Sequence, residues 1–281
     1  MIPAQFEYEV ADSVEHAIEL LGSKDDAKLL AGGHSLLPFM KFRLARPATL
    51  VDIGRISGLA SVTDDGDHLA IGALTRHHDL EHDPLVREHC PLLGYAAGLV
   101  GDSQVRHRGT IGGSLAHGDS AADLPTIALT VDADIVVQGP GGRRTVAAAD
   151  FFKGFYETAL EENEVIVEVR VPKLGDAGWS YIKFRRRALD WATVGVAVVV
   201  ESGNGTIGSA RIGLTNMGET PLRAAAAEEA LAGASRDGVA AAAARADESS
   251  DPPSDTSASA DFRRHLCRVL TARAVEEALT R

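Results

Sequence analysis

The chain has 281 residues, 45% hydrophobic and 24% charged, with a formal net charge of −12. That length accommodates two domains with a sizeable core, and that charge argues against a nucleic-acid binder, whose affinity rests on Lys and Arg neutralising phosphate. Only Cys90 and Cys267 are present, in no CxxC spacing, which excludes a self-contained iron–sulfur cluster, argues against a disulfide framework and suits a reducing cytoplasm.

The opening stretch MIPAQFEYEVADS lacks a basic start followed by an apolar core, so no signal peptide is expected. ADSVEHAIELLG predicts a first helix. Asp12 and Glu15 offer a capping-box-like start, Val14, Ala17, Ile18 and Leu21 share a face, and Gly22 offers a left-handed end. Lys28–Ala31 reads as a short strand running into AGGHS, and 48–53 as another. LASV and HLAIGA flank the Asp65-Gly66 step, which predicts a tight hairpin. TRHHDLEHD and PLVREHCPLLGYAAGLVG read as helices opened by Thr75 and Pro84. A second glycine stretch at 109–114 precedes a run of leucines and alanines (124–133). DIVVQ, a GPGG turn (139–142) and RTVAAADFF follow, and the alternating NEVIVEVRVP predicts a half-buried strand ending at Pro172.

KLGDAG (173–178) reads as a linker and divides the chain into 1–175 and 176–281. Beyond it, WSYIKFRR, TVGVAVVVE and IGSARIGLTN predict three antiparallel strands. Alanine-rich helices are expected around 221–232 and 236–246, then a polar, proline-containing loop, then a helix from Asp261 carrying Phe262, Leu266, Val269 and Leu270 on one side. Apolar runs such as VGVAVVV are strand-sized and too short for a transmembrane segment. Strands and helices mix without regular βαβ alternation, which favours an α+β fold.

AGGHS (31–35) and TIGGS (110–114) each place two adjacent glycines before a serine or close to one. Glycine lets backbone approach a ligand, successive N–H groups can converge on an anion, and Ser35 or Ser114 adds a hydroxyl. Either stretch alone reads equally as a tight turn; both together could hold the two halves of a pyrophosphate. There is no GxGxxG opening a helix after a strand and no GxxxxGK[ST]. A dinucleotide held by two glycine stretches in an α+β setting points to a flavin.

AGGHSLLPFMKFRLARPATLVDI with GDSQVRHRGTIGGSLAHGDSAADLP resembles the FAD-binding medium subunit of molybdenum hydroxylases, the family of the aerobic carbon monoxide dehydrogenase medium subunit and the xanthine dehydrogenase FAD subunit. The similarity continues through FFKGFYETAL, YIKFRRRALDWATVGVAV, LTNMGETPLRA and DFRRHLCRVLTARAVEEAL. The resemblance implies a two-lobed, vanillyl-alcohol-oxidase-like (PCMH-type) FAD-binding domain and a small C-terminal α+β domain with a three-stranded antiparallel sheet. It puts Ala31, Gly32, Gly33, His34, Ser35 and Leu36 in one FAD loop and Thr110, Ile111, Gly112, Gly113 and Ser114 in the other. It also implies an acidic contact to the flavin side from Asp123 and a place near the isoalloxazine for Lys183. No catalytic residue and no metal ligand is implied, because flavin carries the redox chemistry. The implied partners are a large molybdopterin-binding subunit and a small [2Fe–2S] subunit, in a cytoplasmic dimer of heterotrimers. Electrons would pass from the [2Fe–2S] clusters through FAD to an external acceptor.

The remaining polar residues carry open alternatives. His78 and His82 lie four apart and could share a zinc ion, but with no further ligand pattern they read as a solvated helix face, as does His77. His34 could meet the cofactor by backbone or by side chain. His117 could tune the flavin or bond to loop backbone. Arg106 and Arg108 could neutralise pyrophosphate, sit on an interface or be solvated, and Arg185, Arg186 and Arg187 suit partner docking or an adenine-side contact. Cys90 and Cys267 read as small core residues. Competing functional readings are a stand-alone flavin oxidoreductase of the same superfamily and a non-enzymatic binding or scaffold protein.

Overall fold

The computed structural model describes residues 2–281. A three-stranded parallel sheet opens the chain, with Thr49–Asp52 between Glu7–Val10 and Ala27–Leu30. Glu7–Val10 is additional to the strands read from the sequence. Its residues are mostly exposed, so its alternation is not reinforced by burial. The first helix, Val14–Ser23, is capped by Ser13, whose hydroxyl accepts from the His16 amide, and not by Asp12. It runs past Gly22 and stops at Lys24 in extended backbone; the left-handed residue is Asp26.

An antiparallel five-stranded sheet follows, in the order Val62–Asp65, His68–Gly72, Val165–Pro172, Asp134–Gly139, Gly142–Ala147. Gly66, at φ +75°, makes the expected hairpin turn. Val165–Pro172 sits in the middle and is covered on both faces, where alternation alone predicts one. Val165 and Val167 pack towards Val14, Ala17, Val51 and Ile53, whereas Val169 and Val171 join the opposite core with Leu92, Ile111 and Ile127. A register shift between Ile166 and Glu168 makes this possible. Side chains alternate with period two, so one extra residue switches the faces of all that follow.

The helical stretch after this sheet's first hairpin is three short helices, His77–His82, Pro84–His89 and Pro91–Gly98. Proline has no N–H and clashes with the preceding turn, so Pro84 and Pro91 each start a helix. Asp83 accepts from the Leu85 and Val86 amides at 2.9 and 3.1 Å, capping the second. The stretch from Pro84 onwards is therefore not one helix.

The C-terminal sheet has four strands, Gly178–Phe184, Val194–Gly203, Thr206–Thr215 and Leu222–Arg223. The last, two residues long, corrects the expected three and takes the start of the expected helix, which is Ala225–Leu231. The second alanine-rich stretch is a 3-10 turn, Arg236–Gly238, and a short helix, Val239–Ala243. The final helix begins at Ala260 with Ser259 as its cap, one residue before Asp261, and ends at Ala278. It packs Leu266, Leu270, Ala274 and Val275 on Val194, Val196, Val198 and Val200. Ala197 and Val199, on the other face, join the core of the preceding region.

The helix Asp123–Thr130 lies at this junction and is buried along its whole length. Thr215 donates to Thr126 at 2.8 Å, Thr130 bonds back to the Thr126 carbonyl, and Gly213 leaves room for Thr130. A side chain at Gly213 would strike that hydroxyl. Among the described residues no helix is long and apolar enough to cross a membrane.

Candidate functional site

The strand Ala27–Leu30 delivers AGGHS to the end of the parallel sheet, where Leu36–Lys41 begins. Gly33 has φ +77°, a conformation that L side chains rarely adopt. The Gly33 and Ser35 carbonyls accept from the Leu37 and Phe39 amides. Among the described residues, the amides of Gly32, Gly33, His34, Ser35 and Leu36 have no protein acceptor, and the Ser35 hydroxyl makes no capping bond. Five successive backbone donors are thus available in a partly buried segment.

TIGGS is built differently. Thr110 caps the helix Ile111–His117, accepting from the Gly113 amide at 3.1 Å, so both glycines lie in a helical first turn and not in a loop. The Ile111 and Gly112 amides donate to the Thr75 and Ala73 carbonyls, and Ser114 donates to Thr110. Its donors are therefore used within the protein, and it offers closeness instead. A Cβ on Gly112 would lie 2.6 Å from that of Ala73. One on Gly113 would meet the Thr110 hydroxyl and, at 3.9 Å, Ala31 of the first stretch.

The two stretches touch through backbone. A Cβ on Gly32 would lie 2.8 Å from the Gly109 Cα and closer still to the Arg108 carbonyl. Residues 108–110 are stitched from behind: His77 donates its amide to the Gly109 carbonyl, Arg76 bridges Thr110, and the Arg76 guanidinium donates to the Arg108 carbonyl. Burial, then the neighbouring Arg76, pushes the His77 imidazole down to about 4, so it is neutral. His34 is also lowered, by burial and by the Arg108 charge. Burial and Arg108 lower Arg76. Two arginines and five amides at one junction form a donor set that fits a pyrophosphate.

Phe39, His117 and Tyr156 form an aromatic cluster beside both stretches, with centroids 4.9, 4.8 and 5.3 Å apart. Burial lowers the His117 pKa. A cavity of about 740 Å³ continues between this region and the C-terminal sheet, with Asp119, Tyr156, Trp191 and Arg263 in its lining. Sequence reasoning missed Tyr156 and Trp191; the available signal was two aromatics in polar loop sequence.

Asp123 and Lys183 are brought together, not left as separate contacts. Lys183 donates to Asp123 Oδ2 at 2.7 Å and to the Leu99 carbonyl at 3.0 Å, while Tyr181 donates to Asp123 Oδ1 at 2.6 Å. Burial pushes the Asp123 carboxyl up, opposed by Lys183 and Tyr181. Arg106 does not reach the junction of the stretches: it pairs with Glu81 at 3.1 Å. Arg186 donates to the Thr256 carbonyl. Cys90 and Cys267 are buried, with thiols pushed up to about 12 by burial, as inert core residues.

Residues 4–174 match the family described as FAD binding domain in molybdopterin dehydrogenase, and residues 179–278 match the CO dehydrogenase flavoprotein C-terminal domain. The carbon monoxide dehydrogenase medium chain of Hydrogenophaga pseudoflava is 46% identical, covering 100% of this chain and 99% of the relative. The alpha subunit of the 6-hydroxypseudooxynicotine dehydrogenase complex of Paenarthrobacter nicotinovorans is 40% identical, covering 100% and 97%. A solved carbon monoxide dehydrogenase chain from Hydrogenophaga pseudoflava superposes with a TM-score of 0.97 at 48% identity, covering 100% and 99%. The cofactor of this chain is FAD, and the chain belongs to the FAD-binding medium-subunit family of molybdenum hydroxylases, as an FAD-dependent oxidoreductase subunit.

Proposed function

We propose that the chain is the electron-transfer subunit of a molybdenum hydroxylase of the carbon monoxide dehydrogenase kind. Its partners in this reading are a large molybdopterin-binding subunit and a small [2Fe–2S] subunit, in a cytoplasmic dimer of heterotrimers. The names of the relatives support membership of a larger assembly, since they are chains or subunits of dehydrogenases. Residues 1–175 would be the FAD-binding unit and 176–281 the C-terminal unit.

The observation that carries the reading is the backbone contact of Gly32 with Arg108–Gly109 beside five amides without protein acceptors. The amides of Gly32 to Leu36 and the Ser35 hydroxyl would hold the pyrophosphate, with Ala31 closing on Gly113. Thr110, Ile111, Gly112, Gly113 and Ser114 supply a close, side-chain-free wall. Arg76 and Arg108 balance the negative charge. Asp123, Lys183 and Tyr181 hold the buried helix 123–130 against the C-terminal sheet, which keeps the flavin end of the cleft in register. When bound, FAD takes electrons from a reduced centre and releases them to an acceptor. No side chain of the site is assigned as an acid, a base or a nucleophile.

The test is purification of the chain alone and with co-expressed large and small subunits. One FAD per chain, reduced by substrate only in the assembled complex, is the expected result. Absence of FAD in both preparations would overturn the reading, as would substrate turnover by the chain alone.

A further inference from the structure

We propose that the outer face of the helix His77–His82 is a binding site for a borderline divalent ion of the first transition row, Zn²⁺, Ni²⁺ or Cu²⁺, held by His78, Glu81 and His82. Spacing alone reads these residues as a solvated face, and three features of the structure change the balance.

First, the donor atoms converge. Nitrogen or carboxylate atoms of His78, Glu81 and His82 lie within 4.8 Å of one another. Positions i, i+3 and i+4 share one helix face; the resting approach of His82 to Glu81 is Nδ1 to Oε2, at 4.0 Å, so ligation at bonds of about 2.0–2.1 Å needs Glu81 to present Oε1 and His82 its Nε2 to the ion.

Second, hydrogen bonds set the tautomer. His82 Nδ1 lies 2.8 Å from the His78 carbonyl, which can only accept, so Nδ1 carries the hydrogen and the lone pair sits on Nε2. His107 Nδ1 stands in the same relation to the Ser103 carbonyl, at 2.6 Å. Anchoring one ring N–H on a backbone carbonyl is how metal-ligating histidines present the other nitrogen.

Third, His78 is held in place. Its ring stacks on His107, the residue just past the helix Ser103–Arg106, with centroids 3.9 Å apart and an interplanar angle of 19°, and lies 4.4 Å from His82 on its own helix. Among the described residues neither of its nitrogens has a hydrogen-bond partner. A ring already confined loses little rotamer freedom on ligation.

Charge and ligand type select the ion. Arg106 binds Glu81 Oε2 at 3.1 Å, which leaves Oε1 free while cancelling much of the carboxylate's charge. Two neutral imidazoles and a screened carboxylate discriminate against Mg²⁺ and Ca²⁺, which take oxygen ligands, and favour Cu²⁺ most strongly. Water completes the coordination, because His82 is exposed. His107 is a positioning residue here, not a ligand.

The experiment uses the full-length, FAD-loaded protein and Cu²⁺ alone, then Zn²⁺ alone, in equilibrium dialysis, with electron paramagnetic resonance of the Cu²⁺ form. One saturable ion per chain is expected, with nitrogen hyperfine structure from two imidazoles and no competition from Mg²⁺. His78→Gln and His82→Gln should each weaken binding at least tenfold. His89→Gln, at an imidazole outside the cluster that is paired with Asp64, should bind as the parent does. The proposal is overturned by non-saturable binding, by a resonance without nitrogen couplings, or by parent-like binding in both His78→Gln and His82→Gln. Should either variant fail to fold, the parent's nitrogen couplings and His89→Gln decide the matter.

Discussion

Sixty residues apart in sequence, the Asp123 carboxylate and the Lys183 ammonium meet at 2.7 Å, with side chains only 5% and 3% exposed. One sits at the start of a fully buried helix and the other on the first strand of the C-terminal sheet, so the pair spans the junction between the two halves of the chain. Removing one partner of such a pair strands a charge away from water.

Lys183→Met is therefore expected to destabilise the protein by about 3–5 kcal/mol, and Asp123→Asn with Lys183→Met by much less. Burial already pushes the Asp123 carboxyl up, and without Lys183 it rises further. A raised folded-state pKa stabilises below the unfolded value and loses that contribution as pH rises through the folded value. The deficit of Lys183→Met should thus be larger at pH 8 than at pH 5 in thermal unfolding. A deficit that shrinks with rising pH would refute the assignment.

Gly32→Ala is expected to lower FAD affinity more than tenfold, because its Cβ would force the two glycine stretches apart. Gly33→Val should do the same through its φ of +77°. Gly141→Ala, where an added Cβ meets nothing within 4 Å, is the matched control. Flavin absorbance per protein after gel filtration reads the outcome, and full retention in Gly32→Ala would sink the clamp.

How much of this was readable beforehand varies by element. AGGHS and TIGGS stood out as places of close backbone approach, because a missing Cβ is visible in sequence, and the structure brings them together. That one is a loop with available amides and the other a helix start with its amides occupied was not visible. The difference lies in long-range acceptors, the Thr75 and Ala73 carbonyls. The single helix read from Pro84 onwards could have been divided at Pro91 from sequence alone. Phe6, Tyr8 and Val10 likewise alternate with Glu7 and Glu9. The face switch in Val165–Pro172 and the Thr126–Thr130–Thr215 interlock depend on a register and on pairings that no local pattern encodes.

Thr110→Val keeps the shape of the side chain but deletes the oxygen that caps the Gly113 amide. A loss of about 1–2 kcal/mol is expected, with Thr110→Ser near the parent. Chemical denaturation of the FAD-free protein separates this loss from any effect on cofactor binding; equal midpoints for Val and Ser would contradict the capping role.

Glu164 is held below the usual carboxylate range, chiefly by its hydrogen bonds to Arg144, at 2.5 and 2.7 Å. A lowered folded-state pKa stabilises above the unfolded value and loses that contribution as pH falls through the folded value. With Arg144 40% exposed, solvent screening limits the effect to about 1 kcal/mol. Glu164→Gln should melt below the parent at pH 7, with the gap closing towards pH 3. A gap independent of pH would exclude the ion pair as its source.

The contact between Gly32 and Gly109 joins segments that are far apart in the chain, one just past a strand of the parallel sheet and the other between two helices. Contacts of that kind form late, because a long loop must close before they are rewarded. In the proposed clamp neither stretch alone makes the receptor, so a nascent or half-folded chain would have nowhere to dock the dinucleotide. Cofactor capture should consequently trail the compaction of the N-terminal half during refolding, and the moment of flavin uptake becomes a clock for the last long-range closure of the fold.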